Sequence, residues 1–183
     1  MAKKFEQAFA LWHIWQSPYK IYNANRVINH FLRNDDKSSA IALLQHLTKT
    51  MPASVRPLDH LANIYQADQQ IEKSTKYRLK VKTLLADIFS KKISAQQEDS
   101  LNRYGYSLLQ DQRNQEAIAI FKQITKAKPD SINAFDSLAE AYEATKNYPL
   151  AIVALEKTIA IANSKENVNT ASFEQKLSRL KKQ

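Results

Sequence analysis

Side chains that could support catalysis or bind a metal are few in this sequence and stand apart from one another. The four histidines lack both the i, i+4 pairing and the His-Glu-x-x-His pattern that bring two ligands to one helix face. A metal site would need ligands from separate elements, and we expect none. The acidic pairs at 35–36 and 98–99 lie near predicted helix starts, where negative charge complements the helix dipole. We therefore predict no catalytic residue, no metal and no cofactor.

A stripe of lysines is the second chemically informative group. Lys73, Lys76 and Lys80 share one face of a predicted helix in 72–82. Such a stripe could contact phosphates, and binding would then weaken steeply as salt is added. A solvated helix face explains the same spacing. Nucleic acid, or another anionic surface, is therefore an alternative partner.

Composition indicates that helices must position these groups. Of the 183 residues, 44% are hydrophobic, one is Gly, five are Pro and none is Cys. This composition favours helix and excludes disulfides, thiolate metal sites and Gly-rich phosphate loops. The net charge is +9 and the excess lies mainly before residue 98, which could favour an acidic partner. With no apolar run of roughly 20 residues and no signal-peptide pattern, we expect a cytoplasmic protein.

A pattern that returns after 34 residues indicates how the helices are arranged. Gly105 aligns with Ala139, and Phe121 aligns with Leu155. Small residues thus fall on small ones and large apolar residues on large ones. A fixed period of this length predicts helix–turn–helix units, each burying its apolar face against its neighbours.

The same register continues towards the N-terminus. Counting back from Pro52 predicts a unit at 21–54, and counting forward predicts another at 55–88. The second unit carries Ser74 and Arg78 at the positions where Ala and Phe are preferred. These two units are therefore predicted to be degenerate repeats.

Two local patterns predict where further helices lie. Ser94 followed by Gln97 predicts a capping box that begins a helix after a nine-residue slip in the register. Phe173, Leu177 and Leu180 lie at i, i+4 and i+7 and predict an amphipathic closing helix. Its other face carries basic side chains.

The two clear units resemble the tetratricopeptide repeat family. The residues that carry the resemblance are Gly105, Leu108, Ala117, Phe121 and Pro129 in one unit, and Phe135, Leu138, Ala139, Tyr142, Ala151 and Leu155 in the next. It implies an all-α, right-handed solenoid of helical hairpins with a capping helix at each end. The implied division is a capping helix at 1–20, degenerate repeats plus a connection at 21–97, two clear repeats at 98–165, and a capping helix at 166–183.

The resemblance also implies a binding surface, because the first helix of each unit lines the concave side of a tetratricopeptide stack. The side chains expected there are Asn25, Asn29, Asp59, Asn63, Asn102, Tyr106, Asp136 and Glu140. Asparagine can bond an extended peptide backbone, and tyrosine adds flat contact area with a polar tip. We predict a non-catalytic scaffold or adaptor that holds a peptide or protein partner in this groove.

A narrower resemblance concerns the last third of the chain. The stretch LNRYGYSLLQDQRNQEAIAIFKQITKAKPDSINAFDSLAEAYE is similar to tetratricopeptide tails of some bacterial serine hydrolases. The Gly-x-Ser-x-Gly elbow of such hydrolases is missing, since the sequence has a single glycine. An accessory role beside an enzyme on a separate chain is therefore a further alternative.

Overall fold

The computed structural model describes the backbone of residues 20–183 and the side chains from Ala24 onward. Within this range all regular secondary structure is helical. The helices are α1 (Lys20–Arg33), α2 (Lys37–Thr50), α3 (Val55–Ala67), α4 (Ile71–Phe89), α5 (Ala95–Gln110), α6 (Asn114–Ala127), α7 (Ile132–Ala144), α8 (Tyr148–Asn163) and α9 (Ala171–Leu180). The capping helix predicted at 1–20 lies, except for Lys20, outside the described residues.

Helices α1 to α8 form four hairpins whose turns share one backbone conformation. One residue of each turn has a left-handed φ between 55° and 59°; these residues are Asp35, Gln69, Gln112 and Lys146. The next N–H then bonds the carbonyl five residues back, as from Gln70 N to Tyr65 O at 2.8 Å. This pattern satisfies the last carbonyls of a helix while the chain reverses. Because Asp35 to Gln69 and Gln112 to Lys146 are each 34 residues, the backbone repeats the period of the sequence.

The chain divides into two compact units, residues 1–86 and 87–183. Unit 1 contains the hairpins α1–α2 and α3–α4 up to Ala86, and unit 2 contains the end of α4, the hairpins α5–α6 and α7–α8, and α9. Aliphatic side chains from α1, α2 and α3 form the core of unit 1, including the fully buried Ile28, Leu44 and Leu61. The burial of these side chains is what stabilises a hairpin whose helices would be marginal alone.

The core of unit 2 depends on a close approach between α5 and α6. A Cβ added at Gly105 would lie 2.5 Å from Cζ of Phe121, so only glycine allows this spacing. Phe121 is fully buried, as are Ala117 and, in the next hairpin, Ala151 and Leu155. The buried positions are the ones that the 34-residue pattern predicts. The predicted all-α fold of tetratricopeptide-type hairpins is confirmed for the described residues.

Local side chains begin these helices at the expected places. The predicted capping box is present, with the Ser94 hydroxyl accepting from Gln97 N and the Gln97 side chain accepting from Ser94 N. Ser131 caps α7 in the same way by accepting from Ala134 N at 3.1 Å. The predicted closing helix is α9, and its residue Leu180 is buried.

Candidate partner-binding site

A row of polar side chains runs across the first helices of the two hairpins in unit 2. Helix α7 packs against α5 as well as against α6 and α8. Asn102 and Tyr106 lie one helical turn apart on α5, and Asp136 and Glu140 lie one turn apart on α7. We call these four residues the first-helix row. All four belong to the predicted groove set.

Tyr106 links the two helices of the row. Its hydroxyl donates to Glu140 Oε2 at 2.7 Å and lies 3.1 Å from Ser137 Oγ. The ring stands edge-on to that of Phe121, with centroids 5.4 Å apart. Burial raises the pKa of the Tyr106 hydroxyl, and the adjacent Glu140 carboxylate raises it further against the opposing bond from Ser137. Tyr106 therefore stays a neutral hydrogen-bond donor at any physiological pH.

The acidic end of the row holds a cation from the same chain. Lys176 of α9 places Nζ 2.8 Å from Asp136 Oδ1 and 2.6 Å from Glu140 Oε1. Burial acts to raise the pKa of Glu140, but bonds from Lys176 and Tyr106 outweigh it and leave that pKa below its ordinary value. Burial likewise acts to lower the pKa of Lys176, and the two carboxylates outweigh it in the upward direction. Glu140 and Lys176 are therefore both charged at neutral pH.

Asn102 is the member of the row with unused hydrogen-bonding capacity. Its residue is 8% exposed, and its Oδ1 is buried with no hydrogen-bond partner. A buried acceptor left unpaired costs about 1–3 kcal/mol. The amide would recover that cost if it turned to meet a donor supplied by a ligand, so Asn102 is suited to bind a polar group.

The predicted positions on α3 are bonded within their own hairpin in unit 1. Arg78 of α4 donates from Nη1 to Asp59 Oδ1 and from Nη2 to Asn63 Oδ1, both at 2.7 Å. Asp59 is only 2% exposed, and the buried Ser74 donates to Ala62 O at 3.0 Å. Ser74 and Arg78 occupy the positions where the repeat pattern prefers Ala and Phe. Polar contacts thus replace the usual apolar contact between the helices of this hairpin.

The predicted positions on α1 lie at the edge of the unit 1 core. Asn25 is half-buried and Asn29 is exposed, whereas Ile28 between them is fully buried. Both asparagines are therefore at the surface of α1. Their part in binding stays a prediction.

The lysine stripe on α4 lies beside two stacked tyrosines of unit 1. The rings of Tyr65 and Tyr77 stack with centroids 5.6 Å apart. Lys73 Nζ lies 5.3 Å from the centroid of Tyr65, and Lys80 Nζ lies 5.1 Å from that of Tyr77, while Lys76 is exposed. Two of the three ammonium groups thus make cation–π contacts within the unit. Binding of an anionic partner by this stripe stays a prediction.

The described residues contain neither a metal-binding cluster nor a membrane-spanning helix. In that part of the chain, no cluster of three or more His, Cys, Asp or Glu side chains could hold a metal ion. None of the helices described has both the length and the apolar character required to cross a membrane.

Comparison with known proteins gives similarity at the level of solved structures. Neither the protein-family models nor the curated proteins contain a match. The chain is similar to MamA (41-end) from Desulfovibrio magneticus RS-1, at 16% identity and a TM-score of 0.46 over 86% of this chain and 81% of that one. It is similar to a Podospora anserina protein described as a kinesin light chain with nearly identical TPR-like repeats, at 18% identity and a TM-score of 0.48 over 89% and 86%. The fold of the described residues follows from the helices and turns given above.

Two residues that sequence analysis did not assign to the site complete its geometry. Lys176 was expected on the exposed face of the closing helix, and Ser137 was not singled out. The signal for Lys176 was available in the acidic pair, because two carboxylates one turn apart need a nearby cation when they are half-buried. The sequence did not indicate which lysine or arginine would be that cation.

Proposed function

We propose that this protein is a non-catalytic scaffold that binds a peptide or protein partner along the first-helix row. The observation that carries the proposal is the bond between Tyr106 and Glu140, which joins side chains 34 residues apart into one continuous polar surface. A continuous row across adjacent helices can bond successive groups of a ligand, whereas isolated side chains cannot. Affinity would come from hydrogen bonds and the Tyr106 ring, without any chemical step.

The partner expected for this row is one that donates hydrogen bonds. The half-buried acceptors of the row are the carboxylates of Asp136 and Glu140. The buried, unpaired Oδ1 of Asn102 adds a further acceptor. A peptide with free backbone N–H groups or basic side chains fits these acceptors better than an acidic one.

The test compares the proteins captured by the immobilised full chain and by two variants. Asn102→Ala removes an amide that makes no internal bond through Oδ1, and alanine favours helix, so stability is preserved. Tyr106→Phe keeps the ring against Phe121 and removes only the hydroxyl. Glu116→Gln, on the second helix α6, is the matched control.

We expect quantitative mass spectrometry to show that a defined set of captured proteins falls about tenfold with each row variant and is unchanged with the control. That size corresponds to the loss of one well-placed hydrogen bond. Retention of the same set by both row variants would show that the row is not the binding surface.

A further inference from the structure

The acidic end of the first-helix row has the geometry of a subsite for an ammonium group. Asp136 and Glu140 present one oxygen each to the same Nζ, at 2.8 and 2.6 Å. The second carboxylate oxygen of Glu140 accepts from the Tyr106 hydroxyl, which fixes the orientation of the carboxylate. Charge-assisted bonds of this kind are about twice as strong as neutral ones. The subsite is therefore built from side chains of α5 and α7.

The cation in this subsite belongs to a short helix with a small anchor. Helix α9 has 10 residues and follows a segment at 164–170 that has no regular structure. Leu180 is its one buried residue, at 2% exposed, while Phe173 and Leu177 are half-buried. A helix of this length is not stable in water by itself. Helix α9 also packs against α8, where Lys181 pairs with Glu156, but it buries only Leu180 fully, so we expect it to exchange with a competitor of the same chemistry.

The contacts of α9 define what such a competitor must present. Arg179 makes two bonds to Glu143 on α7, at 2.5 and 3.0 Å. Lys176 and Arg179 are three residues apart, and so are Glu140 and Glu143. The row of acids on α7 thus matches a helix with a lysine and an arginine one turn apart, beside apolar residues. An acidic or uncharged helix would leave these half-buried carboxylates without a counter-charge.

We propose that Asp136, Glu140 and Tyr106 form a lysine-binding subsite that α9 occupies in the free protein, and that a basic amphipathic helix of the partner displaces α9 to insert its own lysine. This inference rests on the proposed function, because it names the chemistry of the partner at one end of the same row. The observation that supports the inference is the charge complementarity between α7 and α9.

The experiment uses a labelled synthetic peptide with the sequence of residues 166–183 as the probe and the full-length chain as the receptor. In the wild type, α9 competes from within the same molecule and the peptide binds weakly. Arg179→Glu removes an exposed ion pair of α9 and sets it against Glu143 without touching the core. Leu180→Ser, which removes the buried anchor, is a second way to release α9.

We expect fluorescence anisotropy to show about tenfold tighter peptide binding to both released chains than to the wild type. Adding Glu140→Gln to either released chain should return peptide binding to the wild-type level, whereas adding the control Glu116→Gln should leave the tighter binding unchanged. A peptide with Lys176→Met should bind about tenfold more weakly, whereas Lys182→Met, the same charge change at an exposed lysine, should have little effect.

Two results would overturn the proposal. One is peptide binding that is no tighter in either released chain, provided circular dichroism shows that both remain helical. The other is dimerisation of the wild-type chain in sedimentation experiments, since the subsite would then accept the intact α9 of a second copy. The peptide experiment uses the chain's own segment and needs no partner. Failure of partner capture would therefore count against the proposed function alone, and failure of peptide binding would count against the lysine-binding subsite alone.

Discussion

Replacing Gly105 with alanine tests whether the close approach of α5 and α6 limits the stability of unit 2. The added Cβ would lie 2.5, 2.6 and 3.1 Å from three ring atoms of Phe121. Phe121 is fully buried and its ring contacts that of Tyr106, so it has little room to move away. Overpacking costs about 1–3 kcal/mol in general, and an approach of 2.5 Å to a fully buried ring places the cost here at about 2–3 kcal/mol. Alanine regains about 1 kcal/mol of helix propensity, which leaves a net loss of about 1–2 kcal/mol.

Hydrogen exchange of the full chain measures this loss where it occurs. We expect amides of α5 and α6 in Gly105→Ala to exchange about 5- to 30-fold faster than in the wild type, since that range corresponds to the net loss. Phe121→Leu should cost stability alone but less in the Gly105→Ala background, because the smaller side chain relieves the overlap. Exchange that is unchanged or slower in Gly105→Ala would refute the argument, because propensity would then outweigh packing.

Three further predictions concern the turns, the polar hairpin and the subsite. Lys146→Gly should stabilise the chain by about 0.5–1 kcal/mol in thermal unfolding, because Lys146 has a left-handed φ of 58° that glycine adopts without strain. Arg78→Leu should lower the free energy of unfolding in urea by about 2–3 kcal/mol, since it removes the Arg78 guanidinium from the buried Asp59 carboxylate, and adding Asp59→Leu should restore most of the loss. The pKa of Glu140 in the folded protein lies below its ordinary value of 4.5. Its carboxylate therefore stabilises the fold above pH 4.5, and this stabilisation is lost as the pH falls through the pKa of the folded state. The loss of stability on acidification, followed by circular dichroism, should be smaller in Glu140→Gln.

The period of the sequence predicted most of the fold of unit 2. The packing of α5 against α6 could be predicted because it requires only small residues at Gly105 and Ala117 and a large one at Phe121. Residue size is what the repeat pattern records. The turns were less predictable from composition. Gln112 and Lys146 adopt the left-handed conformation that usually favours glycine, and only their place in the register marks them as turn residues.

The polar contacts of the α3–α4 hairpin could not be derived from periodicity. A repeat pattern treats Arg78 as a departure from the preferred large apolar residue, and it gives no partner for the guanidinium. The structure supplies two partners on α3, Asp59 and Asn63, which were predicted as groove residues. A helical pattern identifies the side of α3 on which these residues lie, but the length of the arginine side chain decides what reaches them.

The position of α9 follows from the spacing of its ion pairs. Lys176 meets Glu140 and Arg179 meets Glu143, each across 36 residues. Two pairs with the same separation require that the helices run parallel in a constant register. Helix α9 therefore takes the place, beside α7, that the first helix of another hairpin would take. Because no second helix within the described residues covers α9, Phe173 and Leu177 stay half-buried, and the acids of α7 must supply much of the specificity for α9. The side chains that hold α9 are thus the ones that would select a helix able to replace it.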